Sequence, residues 1–189
     1  PNSFLVHDKL GLSENTICID YNHGCPAWVV SLSSVLMMMQ NGMIKRAILL
    51  DGDTVSKIQD KLNREERPLF GDAGIATALE YDENAKPIYF NIGTKSEDGK
   101  ALIKEDGGFR NPYSLETLKF ELDKRAGLIP PEQVTNKMDS MDVFSFAITK
   151  VPKALKVLCS EFEINLDDID NLYLHQANKL ILENIAKRM

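Results

Sequence analysis

Two residues of this chain combine reactive chemistry with a local pattern that would present it: Cys25 in His23-Gly24-Cys25-Pro26, and His175 in Leu174-His175-Gln176-Ala177. Each stands where a β-rich run passes into a helical one. A cysteine just ahead of a helix lies beside unpaired N–H groups that together present about half a positive charge. That field favours thiolate over thiol, and the thiolate is the nucleophile. Thiolates accept acyl groups from thioesters, so acyl transfer suits this placement. The bland alternative is a cysteine packed as a small hydrophobe, which Cys18 (strand interior) and Cys159 (helix) fit better. His175 is the candidate partner. His7 falls on an opening helix facing water, and His23 reads as a turn residue near enough in sequence to tune the thiol.

Other chemistries fit these residues less well. Cys18, His23 and Cys25 lack the paired spacing and the fourth ligand of a zinc site. A histidine about 150 residues after a cysteine matches papain-like proteases, but here Trp28 stands three positions after the cysteine and the C-G-x-C-W context is absent. No glycine loop of the P-loop or dinucleotide kind is present. No metal or organic cofactor is therefore implied.

The elements that must position Cys25 and His175 can be read from periodicity. Ser3–Leu10 reads as a short helix closed by Gly11. Thr16–Tyr21 alternates and is β-rich, so a strand is expected. Pro26 suits the first position of a helix, where its missing N–H costs nothing. Ala27–Gln40 is apolar almost all round, the pattern of a helix buried on every side, and Asn41-Gly42 ends it. Arg46–Asp51 reads as a parallel strand covered on both faces. Ile75–Tyr81 and Pro87–Ile92 read as strands joined by the turn at Asp82-Glu83-Asn84. A polar stretch from Gly93 to Asn111 precedes a helix over Ser114–Arg125, and Ala126–Lys137 reads as a connection containing Pro130-Pro131. Met141–Phe162 is helical, with Pro152 as an expected kink or break. Leu166–Asp170 is a turn, Asn171–Leu174 a short strand, and Ala177–Met189 a helix. Strands alternating with helices indicate an α/β layered fold, and both candidate residues sit at strand-to-helix turns, where such folds place their sites.

Composition bounds the partners. The chain has 189 residues, 43% hydrophobic and 26% charged, with a net charge of −6. That acidic balance excludes a general nucleic-acid binder, which needs a basic stripe. The basic run Lys61–Arg67 is interleaved with acids and reads as a solvated loop. No apolar run approaches the roughly 18 residues of a membrane span. Three cysteines at irregular spacing make no disulfide framework, so a reducing cytoplasm is the expected compartment. Pro1 at the start and Met189 inside a helical pattern lead us to expect a chain cut at both ends.

Three segments carry a family resemblance. Asp20-Tyr21-Asn22-His23-Gly24-Cys25-Pro26-Ala27-Trp28 resembles the nucleophile segment of β-ketoacyl-acyl-carrier-protein synthase III. Leu69-Phe70-Gly71-Asp72-Ala73-Gly74 resembles that family's F-G-D-G-A-G turn, and His175-Gln176-Ala177-Asn178 its H-Q-A-N signature. They occur in the family's order across nearly the whole chain. The resemblance implies a thiolase-like αβαβα layered fold of two similar halves, truncated here at both ends. Residues 1–137 would be the remainder of the N-terminal half, with an inserted segment at about 93–137, and 138–189 the start of the C-terminal half. It further implies decarboxylative Claisen condensation: Cys25 takes an acyl group from acyl-CoA, and His175 promotes decarboxylation of a malonyl thioester on acyl carrier protein. Asn178 matches a position contacting the pantetheine arm, and Trp28 an aromatic beside the acyl channel, with a core role as the alternative. A homodimer is implied.

Some positions depart from the family pattern. The second catalytic Asn belongs to a G-N-T-S segment beyond the H-Q-A-N helix, hence beyond Met189, so residues 1–189 alone are not expected to turn over. A docking basic residue reads as Leu180, although Lys179 is adjacent, and a usual Asn contact reads as Met141. With the long segment from about Gly99 to Lys137, these point to a specialised branch. Competing readings are acyl transfer to an alcohol or amine without condensation, hydroxymethylglutaryl-type aldol chemistry, an inactive partner subunit, and a ligand-binding α/β domain. Thiol reactivity at Cys25 separates the enzymes from the last of these.

Overall fold

The computed structural model describes residues 1–57, 69–97, 99–104, 107–126 and 136–189. The expectations for Lys61–Arg67 and for Pro130-Pro131 lie outside them. The contacts divide the chain into two compact units, residues 1–53 with 73–86, and residues 54–72 with 87–189. The fold is α/β.

The first unit is built from helix α1 (Asn2–Leu10), helix α2 (Ala27–Gln40) and a ribbon of strands β1 (Arg46–Asp53) and β2 (Ala73–Glu80). Gly11 ends α1 as foreseen: at φ 59° it takes the left-handed conformation, and its N–H returns to the carbonyl of Asp8. His7 is half-buried rather than facing water, because its Nε2 lies 3.0 Å from the carbonyl of Ser13.

Helix α2 has the expected limits, with Pro26 in the cap position and Ala27 as the first helical residue. It is not buried on every side. Leu32, Val35 and Met39, spaced for one face, are buried, while Val29 and Met37 are exposed. Ser31 and Ser33 share the buried region because each hydroxyl donates back to a helix carbonyl, Ser31 to Ala27 at 2.6 Å and Ser33 to Val30 at 2.8 Å.

Strand β1 is not the doubly covered parallel strand that its apolar run suggests. It pairs antiparallel with β2, Arg46 opposite Glu80 through to Asp53 opposite Ala73. The ribbon has one packed face and one open face. Leu49, 7% exposed, lies on the side against which α2 packs, opposite Thr77 of β2. Ile48 and Leu50, opposite Ala78 and Ala76, are exposed. Gly52 and Gly74 face each other at the far end, where a Cβ on Gly52 would meet the Ala73 carbonyl oxygen at 2.9 Å. Thr16–Tyr21 is not a strand, since no ladder partner lies beside it among the described residues.

The second unit contains the short strands β3 (Leu102–Lys104) and β4 (Asn136–Met138), paired antiparallel, and helices α3 (Leu115–Arg125), α4 (Ser140–Glu161) and α5 (Lys179–Ala186). Residues 136 and 137, expected in a connection, belong to β4. Asp139 caps α4, its carboxylate accepting from the N–H groups of Met141 and Asp142 at 3.1 and 3.0 Å. The helix runs on through Pro152, which is buried, so the expected break does not occur. Helix α5 packs on α4 with Ile181 and Ile185, 5% and 3% exposed, one turn apart on its inner face.

Pro87–Ile92 and Asn171–Leu174 also carry no ladder among the described residues. The first is anchored by side chains instead. Tyr89 stacks on Phe162 with ring centroids 4.2 Å apart, and the Asn91 amide donates to the Ala154 carbonyl at 2.9 Å. The expected turn after β2 is present, with the Asp82 carboxylate accepting from the N–H of Asn84 at 2.9 Å.

Candidate active site

Cys25 occupies the turn that enters α2 and is exposed. The turn closes through the N–H of Ala27, which donates to the Gly24 carbonyl at 2.9 Å. No side chain caps the helix N-terminus. Among N–H groups in the first turn, that leaves donors for a thiolate or for an oxyanion formed on an acylated sulfur. The local cause is Pro26, which fixes its own φ and contributes neither an N–H nor a capping oxygen.

Trp28 follows in the first turn of α2 and is half-buried. Its indole N–H donates to the Thr77 hydroxyl at 3.1 Å. This ties the start of α2 to the middle of β2, 49 residues away in the chain. Nothing in the local sequence marked Thr77. A threonine within the apolar run of a strand, on its packed face, is the signal that could have found it.

Before the cysteine, the Asp20 carboxylate accepts from the Ser3 backbone N–H at 2.8 Å and so ties this segment to the first turn of α1. That N–H, the largest cause, holds the Asp20 carboxyl below its ordinary value of 3.8, with partial desolvation opposing it.

His175 and Asn178 belong to the second unit, whereas Cys25 and Trp28 belong to the first. His175 is exposed and ends the extended segment before α5. Its carbonyl accepts from the N–H of Ala177 at 3.0 Å, a tight turn that leads directly to the helix cap. Asn178 is that cap: its side-chain oxygen accepts from the Ile181 N–H at 2.8 Å. The helix therefore begins at Lys179, two residues later than the sequence pattern suggests. The Asn178 carboxamide has its oxygen committed to the backbone, with its NH₂ left as the group that can meet a ligand.

The F-G-D-like turn is held by a second carboxylate. Asp72 accepts from the Ser56 hydroxyl at 2.5 Å and from the Ser56 N–H at 2.8 Å. The hydroxyl chiefly, then the N–H, holds the Asp72 carboxyl below 3.8, with Lys57 assisting. Cys18 is half-buried and Cys159 buried, both as free thiols. Among the described residues no group of three or more His, Cys, Asp or Glu side chains could hold a metal ion, and no helix is long and apolar enough to cross a membrane.

Known proteins resemble this chain over nearly all of its length. Residues 19–96, which include the cysteine turn and the Asp72 turn, match the family model described as 3-oxoacyl-[acyl-carrier-protein (ACP)] synthase III. A β-ketoacyl-[acyl-carrier-protein] synthase III from Fusobacterium nucleatum is 30% identical over 186 residues, covering 98% of this chain and 53% of that protein. A crystal structure of a 3-oxoacyl-(acyl-carrier-protein) synthase III superposes with a TM-score of 0.87 at 27% identity, covering 99% of this chain and 56% of that one. The 3-oxoacyl-(acyl-carrier protein) synthase from Burkholderia xenovorans LB400 gives 0.78 at 30% identity, covering 98% and 51%. These are thiolase-fold proteins, which agrees with the fold expected from the sequence. The chain spans about half the length of the relatives it matches, and in sequence and fold it is similar to the 3-oxoacyl-[acyl-carrier-protein] synthase III family.

Proposed function

We propose that the protein carrying this sequence is a condensing acyltransferase that forms a β-ketoacyl product from an acyl thioester and a malonyl thioester on acyl carrier protein. The observation that carries this reading is Cys25, an exposed thiol at the mouth of a helix with no side-chain cap. Its sulfur attacks the acyl thioester carbonyl and expels CoA as its thiol, leaving an acyl-Cys25 thioester. Backbone N–H groups in the first turn of α2 receive the oxyanion of that step. His175, joined with the expected Asn of a later G-N-T-S segment, then supports loss of CO₂ from the malonyl thioester. The enolate that results attacks the acyl carbonyl, and the Cys25 thiolate departs.

Further parts of the reading concern the setting. Acyl-CoA and malonyl-acyl carrier protein are the partners, two copies form a homodimer, and the compartment is the cytoplasm. Residues 1–137 and 138–189 divide between the two halves of the thiolase fold. Trp28 borders the acyl channel, and the Asn178 NH₂ meets the pantetheine arm.

The test is intact-protein mass spectrometry of the full-length protein after incubation with a panel of acyl-CoA thioesters. An acyl-sized gain that maps to Cys25 and vanishes in Cys25→Ala is the expected result. No adduct from any thioester, with Cys25 still reduced, would overturn the CoA-primed reaction.

A further inference from the structure

We propose that Thr77 is a positioning residue for the Cys25 nucleophile, acting through the indole of Trp28. The inference rests on the reading of Cys25 as the acyl acceptor and deepens it.

Three observations converge. First, Thr77 stands opposite Leu49, 7% exposed, on the ribbon side against which α2 packs. Thr77 is itself half-buried there, so its hydroxyl is partly screened from water and gains from a protein partner. Second, its partner is the indole N–H of Trp28 at 3.1 Å, the side-chain hydrogen bond by which α2 is tied to β2. Third, the backbone around Trp28 is the backbone around Cys25. The Ala27 N–H closes the cysteine turn onto Gly24, the Val30 N–H donates to the Pro26 carbonyl at 3.0 Å, and the Ser31 hydroxyl binds the carbonyls of Ala27 and Trp28.

The first turn of α2 is thus stiff within itself but has no side-chain cap to fix it from outside. The Trp28–Thr77 bond supplies that external point. A stiff turn hinged at one end transmits a small rotation to whatever it carries. Cys25 is three residues from Trp28, and misplacement of a nucleophile by about 1 Å can cost on the order of 100-fold in rate. The Trp28 ring is fixed by the same bond, so Thr77 also sets how that ring borders an acyl chain held on Cys25.

The test uses the full-length protein with Thr77→Val, which keeps the shape and removes the hydroxyl, and Thr77→Ser, which keeps the hydroxyl. Three quantities are read: the rate of acyl transfer to Cys25 across acyl-chain lengths, the rate of Cys25 alkylation by iodoacetamide, and the Trp28 indole N–H resonance, assigned through Trp28→Phe. In Thr77→Val we expect a displaced indole resonance, a fall in both Cys25 rates of about 2- to 12-fold, the range spanned by one net hydrogen bond, and an altered chain-length preference. Thr77→Ser should restore all three. Unchanged Cys25 rates in Thr77→Val, or slowed rates that Thr77→Ser does not restore, would overturn the proposal. If the unaltered protein takes no acyl group from any thioester, the acyltransferase reading falls instead. The positioning role is then decided by the alkylation rate and the indole resonance together.

Discussion

Replacing Asn178 separates its two capacities. Its side-chain oxygen caps α5 through the Ile181 N–H at 2.8 Å, and in the function proposed above its NH₂ meets the pantetheine arm. Loss of an Asn cap costs about 1 kcal/mol, within a range of about 0.5–2. Helix α5 has only eight residues, well short of the roughly 12–15 at which an isolated helix becomes even marginal, so it depends on its cap and on packing against α4. A loss of about 1 kcal/mol corresponds to about fivefold faster exchange for amides that open with the helix. In Asn178→Ala, hydrogen exchange followed by mass spectrometry should show that acceleration in the peptide spanning α5. Asn178→Asp keeps the accepting oxygen and places a negative charge at a helix N-terminus, where it is favourable. Its α5 protection should match or exceed that of the unaltered protein. The same variant lacks the NH₂, so a rise in the KM for the pantetheine-bearing substrate would report the ligand-facing role separately. Unchanged α5 protection in Asn178→Ala, or equal loss in both variants, would refute the capping argument.

Other consequences follow from packing and charge. Gly52→Ala places a methyl 2.9 Å from the Ala73 carbonyl oxygen and 3.0 Å from the Gly74 Cα. Both are backbone atoms, so the ribbon must shift, at a cost of about 1–3 kcal/mol, visible as a lower denaturant midpoint. Ile185→Ala, at a side chain 3% exposed against α4, should cost about 2–5 kcal/mol in the same measurement, and a loss below 1 kcal/mol would mean that α5 is not held by this contact. Asp72 is held below 3.8 by the Ser56 hydroxyl and N–H. Its contribution is therefore complete above about pH 4 and lost as pH falls through its lower folded value. The stability gap between the unaltered protein and Asp72→Asn should accordingly be steady from pH 5 to 8 and shrink in acid, and a gap that widens in acid would contradict the clasp.

Short-range physics was legible along the chain. Gly11 stops α1 because a residue with no Cβ enters the left-handed region freely, and its φ of 59° shows that requirement. The start and stop of α2 follow from Pro26 and from Asn41-Gly42, both local signals. Cys25 was found at a helix mouth because the proline beside it marks one. The start of α5 lies two residues beyond the one its pattern suggests, since alanine and asparagine both fit a helical pattern while only geometry reveals which one caps it.

Pairing was not legible. The apolar run at β1 suited a parallel strand covered on both faces, yet the strand lies antiparallel to β2 with Ile48 and Leu50 exposed. Thr16–Tyr21, Pro87–Ile92 and Asn171–Leu174 have strand-like composition without a ladder among the described residues. Alternation reports which side chains can share a face, whereas a strand is completed only by a neighbour that accepts its hydrogen bonds.

By itself, then, the sequence determined the nucleophile candidate, the ends of α2 and each motif of the family resemblance, because each of these depends on residues within a few positions of one another. Only the tertiary structure decided the partner of Trp28, the cap formed by Asn178 and the clasp between Asp72 and Ser56. The Trp28–Thr77 bond joins positions 49 apart and Asp72–Ser56 positions 16 apart. Their distances are set by how whole elements pack, which no local pattern of residues encodes. The Asn178 cap is local, but its oxygen is committed by the backbone geometry at the helix start, and residue type alone leaves that choice open.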